Sequence, residues 1–441
     1  MVRPPHAKPP QSDQSDQSDQ PSTPKSPAGR LHVQATKPQG RRNDRHKVLV
    51  LASRFPFPAL SGGKLFLLHT VRALRECDVT LLSICATREE MEFQPTDSPF
   101  AAIHRVYLPR WHSILKVLAA LPTRTPLQLA YYQSRAFRQK VAELLPQHDT
   151  VLAHLIRTGQ YLEGQQEIPQ ILLMCDAISM AYNRMANKAG SSRLWHFLYR
   201  TELARLRPYE QACPQSFDQA WLHSAADRAY LGLDPETTRI IPMGIDLADF
   251  PFTPAVEGNV VAFVGNMSFS LNSDACFHFI RDIFPALRDR AGIRFRVIGA
   301  CPPAMRKKLK KHAGVEVTGK VRKIGDGIKD AFCGVCSVRG GAGMQNKVLN
   351  YMALGLPCVT SHVGFEGIGA VPGRDLFVYH QPDDAVDLIL KLHANPDLRR
   401  ETAAHARRFI EGAYDWNILY RSIREEVAQL AAGDWVRTAV G

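Results

Sequence analysis

The chain has 441 residues, 45% hydrophobic and 22% charged, with a formal net charge of +13 and nine cysteines. That length exceeds one hydrophobic core and calls for two or three domains, while the composition is that of an ordinary soluble globular protein. The positive balance favours partners carrying phosphate or an anionic lipid surface. The 8% aromatic content, without zinc-finger spacing or an RNA-recognition signature, argues against nucleic acid.

Residues 1–46 carry the triplet QSD three times among many prolines and are expected to form a disordered tail. Order begins at "KVLVLASRF", an apolar run of the kind found in a central parallel strand. The loop "PFPALSGG" precedes a helix expected from Lys64, with Leu67, Val71 and Leu74 on one buried stripe. "DVTLLSICA" returns as a second strand and completes a βαβ unit. "HDTVLAHL", "PQILLMCDA" and "FDQAWLHS" continue the alternation, which indicates a doubly wound α/β domain.

"TTRIIPMGIDLADFPFTP" breaks the pattern with Pro, Gly and Asp and reads as an interdomain connection. Alternation restarts at "NVVAFVGNMS" and runs through "IRFRVIGA", "GVEVTGK", "AFCGVCSV", "LPCVTSHVGFEGI" and "DLFVYHQ". Two Rossmann-like domains therefore face each other across a cleft, at the carboxyl ends of both sheets, where ligands usually bind. The cysteines lie mostly in apolar runs, and Cys333 and Cys336 read as strand core rather than as a metal or redox pair. That pattern suggests a reducing, cytoplasmic setting, and no run approaches the ~18 apolar residues of a spanning helix.

In "RGGAGMQNKVLNYMALGLPCVTS" (339–361) a glycine turn leads into a helix expected over Met344–Leu354, closed by Gly355 and Pro357. On a helical wheel Val348, Leu349 and Met352 face the sheet, and Asn346, Lys347 and Asn350 lie toward the cleft. The turn offers backbone amides and a helix N-terminus to an anion. Lys347 in the first turn is unfavourable for the helix alone, and a bound phosphate would explain it. A plain β-to-α turn with a solvated lysine fits the spacing equally well.

The segment 340–368 resembles the donor-site segment of GT-B-fold glycosyltransferases of family 4. It is similar in particular to sugar transferases found with bacterial exopolysaccharide and exosortase systems. The resemblance runs from about Lys47 to Ile423 and includes "TPLQLAYYQS", "CDAISMAYNR", "IIPMGID" and "FVGNMSFSLNSDA". It implies a nucleoside-diphosphate sugar as donor, a glycan or lipid-linked acceptor, retention of anomeric configuration and no essential metal. It also implies an acceptor domain over 47–250, a donor domain over 251–414 and a helix from 415 returning to the first domain. Carried over, Gly341, Gly343, Asn346 and Lys347 hold the diphosphate, and Gly265, Asn266 and Glu366 sit on neighbouring donor loops. Gly62 and Gly63 belong to the first-domain loop that approaches diphosphate and acceptor.

Where many relatives carry two glutamates, this chain has Ala342 and Asn350, and the loop "GNMSFSLN" lacks the usual Arg or Lys. Arg339 is the expected replacement cation. His154, ending a strand, stands where relatives contact the transferred sugar, and a satisfied histidine at a sheet edge is the alternative. Asp176 ends the next strand and either orients an acceptor hydroxyl or caps the following helix. "LPRWHSILKVLAALPTRTPLQLAYY" mixes aromatic, apolar and basic residues suited to a membrane surface, or to ordinary packing. The expectation is a cytoplasmic glycosyltransferase, with peripheral contact at the inner face of the plasma membrane as a further option. The alternative is a non-catalytic GT-B nucleotide-sugar-binding protein.

Overall fold

The computed structural model describes residues 45–432, apart from 60, 166, 188–192 and 255–256. Residues 1–44 of the expected tail and the last nine residues, 433–441, lie outside the described residues. Seven strands form the first sheet: β1 (Lys47–Ala52), β2 (Asp78–Cys85), β3 (Ala102–Tyr107), β4 (Thr150–His154), β5 (Gln170–Cys175), β6 (Gln219–Leu222) and β7 (Thr238–Ile240). They pair in parallel in the order β3-β2-β1-β4-β5-β6-β7. A second parallel sheet holds β8 (Val260–Val264), β9 (Arg294–Ile298), β10 (Val315–Gly319), β11 (Ala331–Cys336), β12 (Cys358–Ser361) and β13 (Phe377–Tyr379). Its order is β10-β9-β8-β11-β12-β13.

Both sheets are doubly wound, and in each the strand order reverses beside its first strand, between β1 and β4 and between β8 and β11. The crossovers diverge to opposite faces there, and the gap they leave at the carboxyl ends is the usual ligand crevice. The central strands are apolar throughout because helices cover both faces: β1, β4, β5 and β11 are almost wholly buried. Cys333 and Cys336 are part of that core, and burial pushes the Cys333 thiol up to about 12.

Two strands differ from the sequence reading. β3 is partly exposed at the sheet edge and too polar to stand out, and β7 occupies the start of the segment read as a connection. The helix Gly62–Ala73 begins two residues before the expected Lys64, which makes Gly62 and Gly63 its first turn. The final helix, Trp416–Ala432, lies against Gly62–Ala73 and buries Trp416, Leu419, Ile423, Val427 and Leu430 in the first domain's core. At about 1.5–3 kcal/mol for each large apolar side chain, that stripe is a main contribution to holding the chain end in place. Trp416 also stacks on His69 with ring centroids 4.1 Å apart.

Candidate functional site

The second-domain half of the cleft is built on β8, β11 and the helix that follows β11. That helix spans Asn346–Leu354, two residues shorter at its start than expected, and ends on Gly355 at φ +79°. It is clamped to the sheet through Tyr351, whose hydroxyl accepts a hydrogen bond from the Val264 amide at 2.7 Å. Its ring occupies the space a side chain at residue 334 would need, since a Cβ on Gly334 would lie 2.6 Å from it. The preceding turn carries Gly341 at φ +109° and Gly343 at φ +72°, left-handed conformations that L side chains adopt only with strain.

The helical wheel put Lys347 on the open arc, and the structure corrects this: the residue is only 8% exposed. Its long stem folds inward, so that Nζ lies 4.8 Å from the centroid of the Phe263 ring and donates to Asn272 Oδ1 at 2.7 Å. Asn272 Nδ2 in turn donates to the Asn266 carbonyl at 3.1 Å, which ties the Gly265–Asn266 loop to the ammonium. Burial lowers the Lys347 pKa, and the thiols of Cys336, Cys276 and Cys358 act on it in the opposite sense. The cation thus faces an aromatic ring, an amide and thiols. Asn346 and Asn350 are partly exposed on the same helix. Arg339 is taken up elsewhere, by Asp274 at 3.1 and 3.3 Å.

In the first domain, the ends of β1, β4 and β5 and the start of Gly62–Ala73 enclose a cavity of about 240 Å³. His154 is the last residue of β4 and is buried beside Gly63, whose Cβ would lie 3.8 Å from its Nε2. Burial, helped by Arg157 and His223, holds its pKa down to about 3, so the imidazole is neutral. Neither ring nitrogen has a well-formed hydrogen bond. Asp176 follows β5, and burial raises its pKa, with Asp227 adding to the shift. It does not cap the helix Ile178–Ala186. Glu210 takes the Ile178 and Ser179 amides at 2.8 and 2.9 Å, and Asp227 takes that of Ala177 at 3.0 Å. Asp176 Oδ1 is left buried without a partner. The residues adjoining these two side chains, Leu155 and Cys175, have φ of 67° and 68°. Such strain, about 1–3 kcal/mol per residue, gathers where a side chain must be aimed.

Three cations absent from the sequence reading line the same cavity: Arg54, Lys64 and Arg157. Arg54 donates to the Tyr132 hydroxyl at 2.6 Å and Arg157 to Gln128 Oε1 at 3.0 Å. Both guanidiniums lie over the Tyr132 ring, 5.8 and 5.1 Å from its centroid. Two carboxylates stand near them: Asp176 lines the same cavity, and Glu90 acts electrostatically on Lys64. Their positions, at or just beyond the carboxyl ends of strands or at a helix start, were the available signal.

The two halves meet. A Cβ on Gly343 would fall 2.0 Å from Asp176 Oδ1, and one on Gly62 would fall 3.2 Å from Asn346 Nδ2. Arg184, another residue the sequence reading missed, reaches from the first domain to donate to the Gly341 carbonyl at 2.6 Å and to pair with Glu366 at 2.5 Å. Gly62, Gly63, His154, Asp176, Gly341, Gly343, Asn346 and Glu366 are thereby joined through direct contacts or through Arg184. Gly265, Asn266 and Lys347 form the adjoining corner, and Arg339 contributes to neither. Among the described residues no group of three or more His, Cys, Asp or Glu side chains is arranged to hold a metal ion.

Residues 258–395, which hold β8 through β13, match the family model described as glycosyl transferases group 1. A sequence search of curated proteins finds no significant match. Solved structures similar to the chain include sucrose-phosphate synthase from Thermosynechococcus elongatus, at 16% identity and a TM-score of 0.66, covering 88% of this chain and 100% of that one. HepE from Anabaena in complex with UDP is similar at 13% identity and a TM-score of 0.62, covering 87% and 100%. A glycosyltransferase from Rickettsia africae is similar at 9% identity and a TM-score of 0.57, covering 88% and 99%. At these identities the likeness is one of fold. The chain has a two-sheet GT-B fold whose second half carries a glycosyl transferases group 1 match.

Proposed function

We propose that the protein is a glycosyltransferase of the family 4 type. It moves a hexose-type sugar from a nucleoside diphosphate to a hydroxyl on a polysaccharide or lipid-linked glycan, with retention of configuration and without an essential metal. The observation that carries this reading is the cross-cleft approach of Gly343 to Asp176 and of Gly62 to Asn346, which brings two helix starts together across the cleft. HepE, one of the similar structures, is described in complex with UDP and with UDP-glucose, which supports a donor of this class.

In this reading the amides of Gly341–Asn346, with Lys347 behind them, hold the diphosphate, and those of Gly62–Gly63 approach it from the other side. Neutral His154 accepts or donates a hydrogen bond to a hydroxyl of the transferred sugar, and Asp176 orients the acceptor hydroxyl. The sugar–diphosphate bond breaks as the bond to the acceptor oxygen forms on the same face, and the hydroxyl proton passes to the departing phosphate oxygen. Fixed amide dipoles and a desolvated ammonium stabilise the charge that builds on that oxygen. Closure of the two halves excludes water and favours transfer over hydrolysis. Arg54, Lys64 and Arg157, gathered in the acceptor cavity beside Asp176, favour an acceptor that carries phosphate, as a lipid-linked glycan does. Such an acceptor places the protein at the cytoplasmic face of the plasma membrane.

A second reading, a non-catalytic nucleotide-sugar-binding protein, draws on Ala342 and Asn350 where relatives carry carboxylates. A thermal-shift panel of nucleoside diphosphates, followed by donor hydrolysis and transfer assays with the stabilising nucleotide, separates the two. Stabilisation together with turnover is expected. Stabilisation without turnover on any donor selects the second reading, and no stabilisation by any nucleoside diphosphate refutes both.

A further inference from the structure

The helix Arg110–Ala120 is inverted relative to an ordinary domain helix. Its buried residues are Ser113 and Ala120, while Trp111, Ile114, Leu115 and Leu118 are 64, 53, 54 and 54% exposed. With Leu121, 46% exposed, these residues recur at helical spacing along one face. Beyond that face the chain lines a cavity of about 520 Å³ whose walls carry Arg124, Arg138 and Arg205. Arg205 also donates to the Leu121 carbonyl, so the apolar stripe ends at the cavity rim. Glu163 in the lining accepts from the Tyr209 hydroxyl at 3.3 Å, and Glu202 pairs with Arg205 at 3.8 Å, which leaves Arg124 and Arg138 as the cavity's exposed cations. From Asp97 to Glu143 the sequence holds seven Lys and Arg and no intervening Asp or Glu. Trp195 and Phe197, 54 and 66% exposed, lie on Arg193–Ala212, the helix that supplies Arg205.

We propose that this apolar face and the arginine-lined cavity at its end dock the protein on an anionic lipid bilayer. Apolar side chains would lie at the acyl boundary and a headgroup phosphate in the cavity. A large apolar stripe flanked by cations is the pattern of an interfacial helix. Among the described residues no helix is long and apolar enough to cross a membrane, so contact through these elements is made from one side. Lipid fits the charge where a second copy of the chain does not, because self-association would bring the same cations face to face. Each cation near an anionic surface adds roughly fivefold to partitioning.

Co-sedimentation with vesicles of phosphatidylcholine, alone or mixed with phosphatidylglycerol, tests the proposal in the absence of nucleotide. The full chain is expected to bind the mixed vesicles and to release them at high salt. The triple variant Trp111→Ser, Leu115→Ser, Leu118→Ser should bind at least tenfold more weakly, and Arg124→Gln with Arg138→Gln should lose the preference for phosphatidylglycerol. Because the altered side chains are exposed, the variants should melt at the wild-type temperature, a control for folding. Failure of the wild type to bind mixed vesicles overturns the proposal, as does undiminished binding by the triple variant. So does a solution dimer, seen by light scattering, that the triple variant dissolves. The proposal extends the membrane placement given above. Nucleotide stabilisation, measured separately on the same variants, leaves the transferase reading standing if vesicle binding fails.

Discussion

Gly343 is the position at which the cleft geometry is most directly tested. A Cβ there would lie 2.0 Å from Asp176 Oδ1, whereas ordinary contact begins near 3.4 Å, so Gly343→Ala requires the two walls to part by about 1.4 Å. The substitution also places an L residue at φ +72°, which costs roughly 1–2 kcal/mol by itself. Gly373 supplies the control, since its φ is +81° and a Cβ on it meets nothing within 4 Å. Gly373→Ala should lose about 1–2 kcal/mol in urea denaturation and bind nucleoside diphosphate as the wild type does. Gly343→Ala should show a similar loss of stability and, in addition, at least a tenfold weaker dissociation constant for nucleotide sugar by calorimetric titration. A misplacement of about 1 Å can cost up to about a hundredfold in a positioned site. Combining Gly343→Ala with Asp176→Ala removes the obstructing carboxylate and should restore part of the affinity, a coupling that direct loss of a glycine contact would not produce. If Gly343→Ala and Gly373→Ala titrate identically, the ligand-binding form does not bring that turn against Asp176, and the site as built here is wrong.

Lys347→Met should weaken nucleoside-diphosphate binding by about 10–100-fold, the worth of a charged hydrogen bond in a dry site. Burial lowers the Lys347 pKa, so the unfolded chain holds the proton more tightly. Stability of the unliganded protein should therefore rise as pH climbs from the folded value toward 10.5, and pH-dependent denaturation of Lys347→Met should lack that rise. His154 titrates at about 3 against 6.5 when unfolded, so its contribution is complete above 6.5 and is lost as pH falls toward 3. His154→Gln should flatten that acid limb and lower turnover by about 10–100-fold, with nucleotide affinity unchanged. Arg184→Ala removes the contacts to Glu366 and the Gly341 carbonyl, whose side chains are partly exposed, and should weaken nucleotide-sugar binding by about three- to tenfold in the same titration. Asn350→Glu should strengthen binding of the free nucleoside relative to its diphosphate, read as the ratio of the two dissociation constants. An unchanged ratio would place residue 350 away from the ribose.

The doubly wound architecture was legible because parallel strands covered on both faces are written as unbroken apolar runs. β3 escaped because an edge strand carries His104 and Arg105 in its middle, and β7 because three residues leave no pattern to read. The glycines of the site were legible for the same local reason: few other residues fit a tight strand-to-helix turn. Lys347 was misplaced because a wheel reports where Cα–Cβ bonds point, while a four-carbon stem can turn back under its own helix to Phe263 and Asn272. Asp176 was left between two roles because the residues that cap its neighbouring helix, Glu210 and Asp227, lie 34 and 51 positions away in sequence. Arg184 and Arg157 could be named only once their distant partners were in place.

In the proposed function Lys347 is the donor corner's main electrostatic feature, and its surroundings bear on the residues at 342 and 350. A buried ammonium with an amide, a ring and thiols for company is held at a desolvation penalty that no internal carboxylate offsets. A glutamate at residue 350 would stand three positions along the same helix, near enough to neutralise it. At an effective dielectric of about 20, two unit charges some 6 Å apart interact by roughly 3 kcal/mol, comparable with the gain from one charged hydrogen bond to a ribose. Asn350 and Ala342 add no carboxylate to the corner, where burial already lowers the Lys347 pKa. Under the proposed function this would shift affinity from ribose to diphosphate, and the nucleoside-to-diphosphate ratio of Asn350→Glu measures that shift.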